Sequence, residues 1–147
     1  MEDILKYENR DLLYQYFIDY LGFVKVEEKY YDQDFGNFYI RLAKDGILIS
    51  YENDRWFMSV IISRNAYPTK WYSLSFVRDL IYDSENINGS EVVLDNAARI
   101  NESNEFLKKD LDLILDLFND QNYHDTKEKL DAGLKKTFHK RYPQAGG

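Results

Sequence analysis

"FYIRLAKDGILISYENDRWFMSVII", residues 38–62, decides how this chain folds. Phe38, Ile40 and Leu42 alternate with Tyr39 and Arg41, and Ile47, Ile49 and Tyr51 repeat the alternation after Asp45-Gly46. A period of two belongs to a strand with one buried face, and Asp-Gly between two such runs is a strong hairpin signal. Beyond it Trp56, Met58, Val60 and Ile62 alternate with Phe57 and Ser59, which predicts another strand with the first four inward. "ENDR", residues 52–55, is the expected tight connection: Asn53 and Asp54 adopt turn conformations, and Arg55 lies along an aromatic ring.

Upstream, residues 23–31 are rich in Val, Tyr and Phe with charges between them, which predicts a strand with Val24 and Val26 inward and Lys25 and Glu27 outward. "DQDFGN", residues 32–37, supplies turn chemistry to reverse it. Three short reversals in succession make a four-stranded antiparallel meander. Before the sheet, Leu5, Leu12, Leu13, Tyr16, Phe17, Tyr20 and Leu21 recur at three- and four-residue spacings over 3–21, an amphipathic helix that Gly22 ends.

After the sheet, Pro68 breaks the ladder, and Ser73 is placed to cap a short helix carrying Leu74, Val77, Leu80 and Ile81. Residues 83–103 hold at most one more brief helix. From Glu105, the spacing of Leu107, Leu111, Ile114 and Phe118 is helical. Asp125 and Glu128 form a capping box for a last helix whose inner face carries Leu130, Leu134 and Phe138 and which Pro143 closes. The expected architecture is α+β in a single domain over 1–147: a helix over 1–22, an antiparallel sheet over 23–63, a mainly helical part over 64–142 and a frayed tail over 143–147. Helices on one face would leave the other face, with Tyr39, Arg41, Ser50, Glu52, Phe57 and Ser59, partly in water.

Composition narrows the function. With 44% hydrophobic and 31% charged residues, and 13 Tyr and 9 Phe, the chain has ample material for a core. The absence of cysteine removes disulfides, thiolate catalysis and Cys-ligated metal sites, and suits a reducing cytoplasm. "MEDILKYENR" is acidic and polar where a secretory signal is basic and then apolar, and no run reaches the roughly 20 apolar residues of a membrane span. Net charge is −7, so nucleic acid is a poor partner; the acidity either serves solubility alone or attracts a basic protein. Residues 121–147 hold six Lys or Arg against three acids, so the acidity lies in the first 120 residues.

Catalytic signatures are missing: there is no nucleophile elbow, phosphate-binding glycine loop or dinucleotide fingerprint. His124 and His139, the two histidines, have no zinc-ligand spacing, and no cofactor is expected. Asp112, Asp116 and Asp120 share a helical face that either is solvated, with Lys108 reaching Asp112, or is neutralised by a cation or basic partner. Asp32 and Asp34 match the start of a calcium loop, but Phe35, Gly36 and the lack of a closing Glu depart from it, so a turn role is expected.

"YLGF" (20–23), "FGNFYIRL" (35–42), "ILISYENDRWFMSVII" (47–62) and "WYSLSFVRDLI" (71–81) follow one another in an order that resembles small bacterial immunity proteins of polymorphic and contact-dependent toxin systems. The resemblance covers roughly residues 20–82. It implies an intracellular, non-enzymatic protein that binds and neutralises a cognate toxin, with carboxylates attracted to a basic substrate groove. The contacts expected are Tyr30, Tyr31, Asp32 and Asp34 in the first reversal, and Tyr39, Glu52, Asp54 and Arg55 on or beside the open sheet face. An interaction domain whose partner is not a toxin, and a hydrolase using carboxylates and tyrosines, are the alternative readings.

Overall fold

The computed structural model describes residues 6–34, 36–64, 70–85, 87 and 95–141, with side chains as far as 137. The meander is present: β1 (Val24–Tyr31), β2 (Asn37–Lys44), β3 (Ile47–Asp54) and β4 (Phe57–Arg64) are antiparallel neighbours in chain order. A fifth strand, β5 (Tyr72–Ser73), extends the expected four by pairing with Ile61 and Ile62. It has two residues, too few to produce a readable alternation. The helices are α1 (Asp11–Leu21), α2 (Leu74–Tyr82), α3 (Asn96–Leu117) and α4 (Tyr123–Arg141).

Register explains the core. Ile40 lies opposite Tyr51, Tyr51 opposite Val60, and Leu42 opposite Ile49, which lies opposite Ile62. One face of β2, β3 and β4 is thus a continuous apolar layer, and all six of these side chains are buried. Each contributes about 1.5–3 kcal/mol relative to exposure. Leu13, Tyr14 and Phe17 of α1, Ile100, Leu107, Leu111 and Ile114 of α3, and Leu130 of α4 join them in one cluster. Asp45 and Gly46 turn β2 into β3 with φ of 45° and 92°, and Gly22 ends α1 at φ 77°, as expected of both positions.

The first helix is rotated from its expected orientation. A 3-10 turn over Tyr7–Asn9 precedes α1, so the regular helix starts only at Asp11. Leu12 (67% exposed), Tyr16 and Tyr20 face outward, and Tyr14 takes the inward place, its ring against Tyr51. Tyr14 buries an aromatic body while its hydroxyl reaches Asp11 at 3.1 Å, so a pattern of apolar letters does not flag it.

Val24 and Val26 also point out, at 60% and 54% exposure, because β1 is an edge strand with little covering either face. A register shift between Lys25 and Glu27 puts Lys25 on the helix side and Glu27 on the other. An irregular, charged edge of this kind discourages further strand pairing.

Arg55 and Trp56, not residues 52–55, close the β3–β4 reversal, at φ 52° and 71°. Trp56 is therefore 53% exposed, not inward. For L residues this conformation costs about 1–2 kcal/mol each, and outside contacts hold it. Asn37 Oδ1 accepts the Arg55 amide at 2.7 Å, while Asn96 donates to the Trp56 carbonyl and accepts the Met58 amide at 3.2 Å.

Two helix starts differ as well. α3 begins nine residues before Glu105, where Asp95 accepts the Ala98 amide as N-cap. Asp125 and Glu128 form no capping box: α4 starts at Tyr123, so both lie inside it and pair with Lys129 and His124 instead. Lys108 reaches Glu105 at 3.6 Å instead of Asp112. Phe35, Pro68 and Pro143 lie outside the described residues, as does the Phe138 side chain.

Candidate functional site

The helices cover the face of Phe38, Ile40 and Leu42, so alternation sends Tyr39 and Arg41 of β2 to the other side. The pairings Glu27–Arg41, Lys29–Tyr39, Tyr39–Glu52, Arg41–Ser50 and Glu52–Ser59 gather polar residues of four strands on that surface. Asp54 and Phe57, paired across the last rung, continue it to the end of the sheet.

At its centre lies an ordered cluster. Tyr39 donates its hydroxyl to Glu27 Oε2 at 2.7 Å, and Arg41 Nη1 donates to Glu27 Oε1 at 2.9 Å. Arg41 Nη2 is 3.9 Å from Glu52, whose Oε2 accepts Ser50 Oγ at 2.9 Å. The guanidinium lies over two rings, 4.3 Å from the Tyr39 centroid and 5.0 Å from that of Trp71. Its Nε is buried without a hydrogen-bond partner among the described residues. The Tyr39 hydrogen bond, aided by Arg41, holds the Glu27 carboxyl below its ordinary range, and the same bond raises the Tyr39 phenol. Near neutral pH Glu27 is a fixed negative charge and Tyr39 a neutral donor.

This face is only partly open. Ser50, expected in water, is fully buried, as are Leu48 and Ser63. The chain entering β5 passes over that end: Ser63 Oγ donates to the Lys70 carbonyl at 2.7 Å, and Trp71 lies against Arg41. The exposed part runs from Glu27, Lys29 and Tyr31 through Tyr39 and Glu52 to Asp54 and Phe57.

The expected contact residues divide in three. Tyr31, Tyr39, Glu52 and Asp54 share the open face. Asp32, Asp34 and Arg55 stand exposed in the two reversals at the same end of the sheet. Tyr30 departs from the group, because strand alternation turns it to the helix side, where it stacks on Tyr7 with centroids 4.0 Å apart. The guanidinium on the Phe57 ring, at 4.2 Å, is that of Arg99. Glu27 and Trp71 were not among the expected contacts. Glu27 was recoverable from its outward position opposite Arg41, whereas nothing local marks Trp71.

Two grooves lie between the helices. One, of about 460 Å³, is lined by Leu80, Ile81, Leu113 and Leu117 together with Asp116 and Asp125, and Asp125 pairs with Lys129 at 2.9 Å. The other, of about 430 Å³, lies between α2 and α3, where Tyr82 donates to Asp110 at 2.6 Å beside a kink in α3. Among the described residues no group of three or more His, Asp or Glu is placed to hold a metal ion, and no helix is long and apolar enough to cross a membrane. No protein-family model, curated protein or solved structure gives a significant match to the chain.

Proposed function

We propose that this chain is a binding protein that neutralises a basic protein, in the manner of a bacterial immunity protein, through the exposed face and end of its sheet. The observation that carries this reading is the Tyr39–Glu27–Arg41–Glu52 cluster. Its side chains are fixed before any partner arrives, so binding would cost little ordering entropy. Around it stand Tyr31, Asp54 and Phe57, aromatic and acidic groups suited to a positively charged surface. The resemblance over residues 20–82 supplies the toxin as the kind of partner, and net charge −7 supplies the attraction.

A carboxylate-based hydrolase finds less support. Hydrogen bonds hold the Glu27 and Asp131 carboxyls below their ordinary range and so ionised, whereas a general acid near neutral pH needs its value raised.

Purification of the tagged chain from its own host, followed by identification of what copurifies, tests the reading. A basic toxin domain in nanomolar complex is the expected result. A chain that carries no protein and turns over a small substrate would overturn it.

A further inference from the structure

The reversal between β3 and β4 is built against local preference. A two-residue connection with both central residues left-handed suits Asn-Gly, yet Arg55 and Trp56 occupy it. Its conformation is imposed from two distant elements. Asn37 accepts the Arg55 amide at 2.7 Å and donates to Asp54 Oδ1 at 3.4 Å. Asn96, 40 positions along the chain from Trp56, donates to its carbonyl. Asn-Gly at 55–56 would adopt the same path with less strain and without an exposed indole.

What the clamps hold in place is aromatic surface. Trp56 and Phe57 are 53% and 55% exposed at the rim of the sheet face. Carboxylates stand at the same end of the sheet. Asp54 adjoins the turn, Asp32 and Asp34 are exposed in the reversal between β1 and β2, and Asp95, whose side chain accepts the Ala98 amide, precedes Asn96. Among the described residues, cations at this end include Arg55, Lys29, which lies 5.1 Å from the Tyr31 ring, and Arg99, 4.2 Å from the Phe57 ring. Strain maintained by surrounding structure gathers at ligand clamps, and Trp and Arg are enriched at the energetic centres of interfaces.

We propose that Trp56, with Phe57 beside it, is the anchor of the binding surface, and that its receptor is an apolar pocket ringed by lysines or arginines on a partner protein. This rests on the proposed function and names the energetic centre of the same surface. The carboxylates argue against a membrane as the receptor, because anionic headgroups would repel them.

The test is a cyclic-peptide phage library panned against the full chain, with the selected peptides titrated against wild type, W56A and R55N/W56G. The second variant installs Asn-Gly and guards against a fold defect. Basic peptides bearing an apolar residue are expected to lose at least tenfold in affinity on both variants, and R55N/W56G is expected to melt above wild type. Peptides that bind both variants as tightly as wild type, a panning that yields no binder at the tip, or a lower melting temperature for R55N/W56G would overturn the proposal. So would a blue shift of Trp56 emission in W71F on vesicles containing phosphatidylglycerol, which would assign the tip to lipid. No toxin enters this assay, so its failure is separable from that of the copurification.

Discussion

Tyr51, wholly buried on the helix side of β3, donates its hydroxyl to Asn104 Oδ1 of α3 at 2.7 Å. Asn104 in turn donates to the Leu13 carbonyl of α1 at 2.9 Å, so one side chain joins sheet, first helix and third helix. The cluster that fixes the helices on one face of the sheet also leaves the opposite face available.

Replacing Asn104 strands the buried Tyr51 hydroxyl and removes a second bond to the Leu13 carbonyl, which keeps its place in the α1 ladder. N104A should therefore lower stability by about 2–3 kcal/mol. Y51F removes one bond and should cost about 1–2 kcal/mol. Urea denaturation monitored by circular dichroism distinguishes the two.

Gly133 is a glycine inside α4, where alanine would ordinarily stabilise by about 1 kcal/mol. Here a Cβ would stand 2.5 Å from Ile87 Cγ2 and 2.8 Å from the Ile87 carbonyl oxygen. G133A should therefore destabilise by about 1–3 kcal/mol through overpacking. Combined with I87A it should cost less than the two single changes together, which thermal melts of the four proteins would show.

The Tyr72–Asp131 bond, 2.6 Å long, predicts opposite behaviour at the two ends of the pH scale. Burial opposes ionisation of Asp131, but hydrogen bonds from Lys127 and Tyr72, with Lys70 nearby, outweigh it and lower the carboxyl. Its contribution is present above the ordinary aspartate value of about 3.9 and lost as pH falls through the lower folded value. Burial and the bond to Asp131 raise the Tyr72 phenol, burial raises Tyr51, and burial with Asp11 pushes Tyr14 up to about 12. Their contribution is complete below the ordinary tyrosine value of about 10 and lost as pH rises through the folded values. Urea midpoints across pH should show a plateau with two falling limbs, the acid limb shallower in D131N and the alkaline limb shallower in Y72F.

β2, β3 and β4 are legible in the sequence because a run of alternate residues in each is apolar and buried, even where Leu48 and Ile61 interrupt the alternation, and Asp45-Gly46 marks the turn from β2 to β3. β1 misled because an edge strand need not bury its valines; Val24 and Val26 satisfy strand geometry without satisfying the core. The Arg55–Trp56 reversal was hidden because its clamps, Asn37 and Asn96, are remote in sequence and the turn residues carry no local signal. The first half of α3 is hard to read because Ile100 is the single buried side chain among its first ten residues, and its one local signal is the Asp95 cap. On the candidate surface, parity placed Tyr39 and Glu52 correctly. The burial of the end of this face where Lys70 meets Ser63 and Trp71 meets Arg41 is announced by no periodicity.

The direct test of the central claim is the affinity of E52K/D54K for the protein that copurifies with the wild-type chain. Asp54 is exposed and Glu52 half-buried, where it accepts the Ser50 hydroxyl, so circular dichroism first establishes that the variant is folded at the assay temperature. Affinity weakened at least a hundredfold, mainly through faster dissociation, is the result predicted for an acidic sheet face as the binding surface. Unchanged affinity in a folded variant would contradict it.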